Sequence, residues 1–395
     1  MLTLGHCPAS WALKGITYFD HETRRFEVGD IEIDGQWITS VGAPGSSKIE
    51  YAIDGRDYAC TPGLILAQTD LPTIQRGSER LLRAGVTTAG ATCRTASECI
   101  LTASQTQVQL VLRLVLNSPG REWNGEEILD GRDARIFSRI ASLAKLNRVR
   151  VAPAIHCSSV LSASELVYAQ KFAAAIGQGL CVVLSESPEA AQAFRERFFC
   201  SEIQLLSFLR LIEPGTTVSG LSQVTPRDLD TLRRSGADVV GLQDAMRMHR
   251  RRKRLPASTC SGARREPFSQ RKPEMRLGDG SFATDLTTAG PFIESALVDA
   301  DAGVDDATIR AAATLGVSQY CGRIAPGMQA DLCLFDLHDL ERQGPCSAAF
   351  LQLFEHREPR FVFVAGQLAT GASSTISDRA SWEIPQRSNE IAHLA

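Results

Sequence analysis

Two rhythms of apolar and polar positions run along this chain. In the first 60 residues the apolar stretches are short and extended. Ile31 to Ile33 and Trp37 to Val41 flank Asp34-Gly35, a hairpin signal, and Ile49 to Ile53 leads into a second Asp-Gly pair, Asp54-Gly55. From Gly63 onward, apolar strand-like runs alternate with amphipathic helical runs. The predicted strands are Leu64 to Ala67, Val86 to Ala89, Val108 to Leu116, Val149 to Ile155, Leu180 to Leu184, Thr216 to Leu221, Val239 to Leu242 and Met275 to Leu277. The predicted helices are Thr73 to Ala84, Ala134 to Leu146, Ala163 to Ile176, Pro188 to Phe198, Pro226 to Ser235 and Asp305 to Leu315. Ser162 or Ser164 suits a helix N-cap, and Thr225-Pro226 opens a helix with Pro at its first position. Strands separated by helices over roughly 220 residues fit an α/β fold, a TIM-like (β/α)8 barrel, better than a sandwich or a bundle.

After Gly322 the extended pattern returns. Ala330 to Leu337 and Arg360 to Ala365 are of a kind to rejoin the N-terminal strands. The expected organisation is a small composite β-domain from residues 1–60 and 322–375, a barrel at 61–321, and a polar tail at 376–395. No internal repeat is visible.

Composition narrows the class. With 395 residues, 44% hydrophobic and 22% charged, the chain has ample material for a large core, which excludes a small stapled scaffold, a coiled coil and a wholly disordered chain. A net charge of −3 gives no electrostatic reason to expect nucleic acid as the partner. No stretch approaches the ~20 apolar residues of a membrane span, and Met1 to Gly15 lacks a basic stretch followed by an apolar run, so neither a membrane anchor nor a secretory signal is expected. The 11 Cys are scattered with no CxxC pair, as expected of reduced thiols in a cytoplasmic protein.

Two stretches interrupt the alternation. Asn117 to Arg132 reads as a loop. Arg247 to Arg276 carries 11 basic and 2 acidic residues with few large apolar ones. It is expected to be either a solvated insert, or an anion-binding lid or docking site for an acidic partner. Homo-oligomerisation is left open by the sequence.

Several stretches together resemble the amidohydrolase superfamily, in its aminohydrolase and chlorohydrolase-like branch, related to cytosine and guanine deaminases. Thr61-Pro62-Gly63-Leu64-Ile65 is similar to the family's first-strand motif, Leu81 to Thr88 to its second strand, and Ile324 to Asp336 (IAPGMQADLCLFD) to its closing signature. Arg360 to Leu368 resembles the strand that follows. The resemblance covers most of residues 28 to 370. It implies hydrolysis of non-peptide C–N bonds in a metal-bearing TIM-like barrel, together with a small β-sandwich built from both chain ends.

The resemblance also implies a divalent metal, Zn, Fe, Mn or Mg, which lowers the pKa of bound water to make hydroxide near neutral pH. Its ligands are expected at the C-terminal ends of the barrel strands. The first strand of the family ends in His-x-His, where this chain has Gln68 and Asp70. A His three residues before the family's proton-transferring carboxylate is here Val183, while Glu186 stands at the carboxylate. The sixth-strand His is missing from Val218 to Leu221. The eighth-strand motif reads Gly278-Asp279-Gly280-Ser281, with Asp279 as ligand only after a one-residue shift. All four expected imidazoles are therefore replaced. Of the 7 His in the chain, His156 alone follows a strongly apolar strand, at a place where family members often carry a substrate-touching His.

Three readings follow. The first is a divergent family member without the classical metal centre, inactive or binding a small-molecule ligand only, through His156, Gln68 and Gln243. The second is an active hydrolase or lyase using Asp70, His156, Glu186 and Asp279 with an altered metal or none. There His156 and Glu186, on adjacent strands, are the acid–base candidates, since an imidazole titrates near neutral pH. The third is an interaction protein that uses the basic insert. Cys157, next to His156, points to the opposite strand face, and Asp244 serves equally well as a structural cap.

Overall fold

The computed structural model describes residues 7–69, 71–116, 149–240, 300–341 and 346–371. Its strands in chain order begin with β1 (Ser10–Asp20), β2 (Arg25–Asp34), β3 (Trp37–Gly42), β4 (Ala52–Asp54) and β5 (Tyr58–Pro62). Then come β6 (Leu64–Thr69), β7 (Val86–Cys93), β8 (Gln109–Val115), β9 (Val149–His156), β10 (Cys181–Val183), β11 (Thr217–Ser219) and β12 (Asp238–Val239). The last are β13 (Leu332–Asp336), β14 (Phe361–Val364) and β15 (Gln367–Gly371). The helices are α1 (Leu71–Arg83), α2 (Ala96–Ser104), α3 (Ala163–Ala175), α4 (Pro188–Phe198), α5 (Glu202–Phe208), α6 (Pro226–Ser235), α7 (Ala300–Ala307), α8 (Ile309–Thr314), α9 (Leu337–Glu341) and α10 (Ser347–His356). The chain divides into two compact units, residues 1–63 with 323–395, and residues 64–322.

In the first unit both chain ends contribute to one hydrogen-bonded sheet, ordered β15-β14-β13-β5-β1-β2-β3, with β4 beside β1. The join is the antiparallel pairing of β13 with β5, Leu332 opposite Pro62 through Asp336 opposite Tyr58. Among the described residues this is one connected sheet, and the sandwich anticipated from sequence is not confirmed by it. Asp34-Gly35 does turn the chain, with Asp34 opposite Trp37 and Gly35 at φ +58°. One side of the sheet carries a core that includes Trp11, Ile33, Leu332, Leu334 and Phe363. On β13 the intervening Phe335 instead meets Phe354 of α10, ring centroids 5.0 Å apart, so β13 is covered on both faces. The Asp of the closing motif is structural: Asp331 accepts a hydrogen bond from the Ala365 N–H at 2.7 Å and fixes the turn between β14 and β15.

The second unit is a mixed α/β fold whose seven parallel strands lie side by side in chain order, β6 to β12, in a curled half-barrel sheet. Parallel strands need crossover connections, and helices supply those that are described; the connection from β8 to β9 lies outside the described residues. β6 and β8 are buried along their whole length, as expected of strands covered on both faces. Helix starts follow local chemistry. Ser187 and Thr225 cap α4 and α6 with Pro at the first helical positions, and Thr95, Ser162 and Ser201 complete capping boxes. The stretch Asp305 to Leu315 is divided between α7 and α8, which break at Thr308, where the hydroxyl donates to the Val304 carbonyl at 2.6 Å. α8 and the turn after it pack on the sheet through Ala311, Ala312, Leu315 and Val317 against Ile65, Ala67, Val111 and Val240. Gly90 of β7 makes room for this: a Cβ there would lie 2.5 Å from both the Ala67 oxygen and Leu315. The predicted loop at 117–132, the helix at 134–146, the strand at 275–277, the basic insert at 247–276 and the tail lie outside the described residues.

Candidate functional site

The parallel sheet brings its strand ends together, and chemistry on such sheets is expected at the C-terminal ends. Three of the sequence-predicted residues are described there. Gln68 lies in β6, past an irregularity in its pairing with β7, and is almost fully buried. Its Nε2 donates to Thr92 Oγ1 at 3.2 Å, and its Oε1 accepts from Arg113 Nη1 at 2.5 Å. His156 ends β9, in register with Val183 of β10, which is in turn in register with Ser219 of β11. It is half-buried, with Nδ1 2.7 Å from Ser158 Oγ. Glu186 comes three residues after Val183, at the surface. Its backbone oxygen accepts from Ser222 Oγ at 2.8 Å and Gln223 Nε2 at 3.1 Å. Asp70, Gln243, Asp244 and Asp279 lie outside the described residues.

The electrostatics shift His156 and Glu186 in opposite directions. Burial lowers the His156 pKa, and the positive charge of Arg94 lowers it further. The Glu186 carboxyl, although at the surface, is partly shielded from water by the packing around it, which raises its pKa. Cys157 behaves differently from a nucleophile. Its thiol is buried, and burial, the charge of Glu202 and a hydrogen bond to Glu202 push its pKa well up. Glu202 itself accepts from the Ser185 N–H at 3.0 Å and Oγ at 2.7 Å, tying α5 to the end of β10.

Arg113 is the residue that sequence inspection passes over. It sits inside the apolar run Val108 to Leu116 and is 2% exposed. Besides Gln68, its Nη1 donates to the Ala67 carbonyl at 3.2 Å, and its Nη2 to the Thr314 carbonyl at the end of α8 at 3.4 Å. A helix C-terminus is a favourable place for a cation. A lone guanidinium amid aliphatic residues was the available signal, because Arg is rarely fully buried without partners. Val183, at the family's His position, is buried against Val115, Ala154 and Cys181. Among the described residues, no three of His, Cys, Asp and Glu gather as a metal-ligand set. Nor is any described helix long and apolar enough to cross a membrane.

A family model described as the amidohydrolase family matches residues 72–369, and the chain belongs to that family. The 5-methylthioadenosine/S-adenosylhomocysteine deaminase of Teredinibacter turnerae is 28% identical over 200 residues, a match that spans 47% of this chain and only 43% of that protein. Among solved structures, an adenosine deaminase from Xanthomonas campestris with bound zinc superposes with a TM-score of 0.63 at 15% identity, over 91% of this chain and 93% of that one. Atrazine chlorohydrolase from Arthrobacter aurescens complexed with zinc gives a TM-score of 0.63 at 16% identity, over 91% and 95%. At these identities the likeness is one of fold.

Proposed function

We propose that this chain is a divergent amidohydrolase, by descent a hydrolase of non-peptide C–N bonds, which holds a small-molecule ligand at the C-terminal strand ends without the family's metal centre. On this reading the half-barrel sheet belongs to a complete (β/α)8 barrel. The C–N assignment draws on the family and on the deaminase name of its relative. The observation that carries the metal-free reading is the contact between Arg113 and Gln68. Gln68 stands where the first metal-binding His is expected, and its one side-chain oxygen is occupied by a guanidinium. A metal ion there would stand beside a fixed positive charge. At an effective dielectric near ~20, each pair of unit charges ~4 Å apart repels by about 4 kcal/mol. The Val183 side chain has no atom able to ligate a metal, so the described side chains do not fit one. The test is metal analysis of the full chain produced in metal-replete medium, alongside ammonia release from a panel of ring-amino heterocycles. The expected result is less than ~0.1 equivalent of metal and no release. Near-stoichiometric metal, lost in Asp70→Ala or Asp279→Ala, would overturn the reading.

A second reading is favoured by the opposed shifts of His156 and Glu186. Burial favours the neutral imidazole of His156, the form a general base needs, and the protonated carboxyl of Glu186, the form a general acid needs. On that reading the chain hydrolyses a small amide or heterocycle, with Asp70 and Asp279 assisting. Turnover that persists unchanged in Glu186→Gln would remove Glu186 from it.

A further inference from the structure

A cavity of about 390 Å³ opens at the N-terminal ends of β10 to β12 and reaches in as far as Arg113 of β8, whose Nη1 side holds Gln68. Its lining includes Gly177 to Gly179 before β10, Pro214-Gly215 before β11, and Ala313 to Gly316 at the end of α8. The two glycine loops touch: a Cβ on Gly179 would lie 2.2 Å from the Gly215 oxygen. The volume falls within the range of small-molecule sites.

Among the described lining residues two are charged, Arg113 and Asp238, one of each sign. Nη1 of Arg113 has both its hydrogens engaged, by Ala67 and Gln68, which fixes the guanidinium. Nη2 makes one long contact, 3.4 Å to Thr314, and Nε makes no hydrogen bond among the described residues. The Nε–Nη2 edge is the fork that meets a carboxylate with two parallel hydrogen bonds. Asp238 lies near enough to sense the Arg113 charge, yet its carboxylate accepts no hydrogen bond among the described residues. Gln170 Nε2 is held by Glu213 at 3.4 Å. Buried polar groups are almost always paired. Gln170 Oε1 is the buried unpaired atom of this lining, and the half-buried Asp238 and the Nε–Nη2 edge of Arg113 add one charge of each sign around the same cavity, so an occupant with matching chemistry is called for.

We propose that this cavity is a second binding site, separate from the C-terminal strand ends, for a small zwitterion of the amino-carboxylate class. Its carboxylate meets the Nε–Nη2 edge of Arg113, and its ammonium meets Asp238 and Gln170 Oε1. An anion alone would meet Asp238 with the wrong sign, and a cation alone would meet Arg113 so. A dipolar ligand of zero net charge satisfies both.

The test is calorimetric titration of the full chain with glycine, β-alanine and 4-aminobutanoate, which differ in charge separation, with butanoate and butylammonium as single-charge controls. At least one amino acid is expected to bind saturably at one site, with both controls at least ~10-fold weaker. Asp238→Asn should weaken that binding by at least ~10-fold, since it strips one half-buried charge partner. Ala313→Phe, which adds bulk to the lining at an uncharged residue, should abolish it, and a thermal melt verifies that each variant is folded. No saturable binding by any of the three amino acids, equal binding of a control, or unchanged affinity in both folded variants overturns the proposal. None of these outcomes depends on the metal content or turnover of the chain.

Discussion

Nη1 of Arg113 donates to Oε1 of Gln68 at 2.5 Å, across 45 positions of chain. The contact joins β8 to β6 over the intervening β7, and Thr92 of β7 accepts from the other end of the same amide at 3.2 Å. Gln68 is thereby held by its oxygen and its nitrogen at once, and the guanidinium is held by Ala67 and Thr314 as well.

Arg113→Met keeps most of the side-chain volume but strips the donors from Gln68, Ala67 and Thr314. Buried acceptors left unsatisfied cost about 1–3 kcal/mol each, and not additively, so a loss of about 2–4 kcal/mol is expected. Urea unfolding should show a lower midpoint with an unchanged slope. A midpoint equal to that of the parent chain would show that the arginine is not holding the strands together.

His156 should titrate below the ordinary imidazole value, because burial and then Arg94 disfavour its charged form. The unfolded chain then binds the extra proton more readily than the folded one. The stabilising contribution of neutral His156 is complete above about pH 6.5 and is lost as pH falls from there toward the lowered folded pKa. An NMR titration of the ring should give the depressed value, and Arg94→Gln should move it partway back up. A normal value unaffected by Arg94→Gln would contradict the burial described for this ring.

Glu202 carries the opposite sign. Burial raises its pKa more than its bonds to Ser185 and Cys157 and the charge of Arg195 lower it. Its protonated form is thus favoured by folding, and the stability it contributes at low pH declines as pH rises through the raised value. Glu202→Gln keeps an acceptor for Ser185 and removes the charge. Relative to the parent chain it should gain stability between about pH 5 and pH 8 by chemical denaturation, with a flatter pH dependence. A difference between the two chains that does not change over that interval would place the carboxylate in water.

Gly220 turns the chain from β11 toward the residues that hold Glu186. Its φ is +79°, and a Cβ would stand 2.7 Å from the Leu184 carbonyl oxygen. Left-handed backbone costs about 1–2 kcal/mol for a residue with a side chain, and the clash adds to it. Gly220→Ala should therefore lower stability by at least ~2 kcal/mol in thermal or urea unfolding. Gly177→Ala shares the positive φ, at +66°, but has open space around it and should cost less. Equal losses at the two positions would discount the contact with Leu184.

The sequence by itself determined the order of elements in the parallel sheet. Runs such as Val86 to Ala89 and Val149 to Ile155 are buried strands because their apolar residues have nowhere else to go. Pro188 and Pro226 start helices because local capping chemistry is complete within four residues. It also marked the absent imidazoles, since a missing His is visible without coordinates. Other features rest on contacts between distant parts of the chain. β1 extends to Ser10 because its partners lie on β2, β4 and β5, and the one-piece sheet of the first unit depends on β5 meeting β13. α7 and α8 separate at Thr308, although the apolar pattern there reads as one helix. Arg113 looks like an intruder in a strand until Gln68, Thr314 and Asp238 surround it. Periodicity reports which face of an element is buried, a property of neighbouring residues. Which oxygen satisfies a buried guanidinium is decided only when strands from three places in the chain lie side by side, because a hydrogen bond needs its partners within about 3 Å.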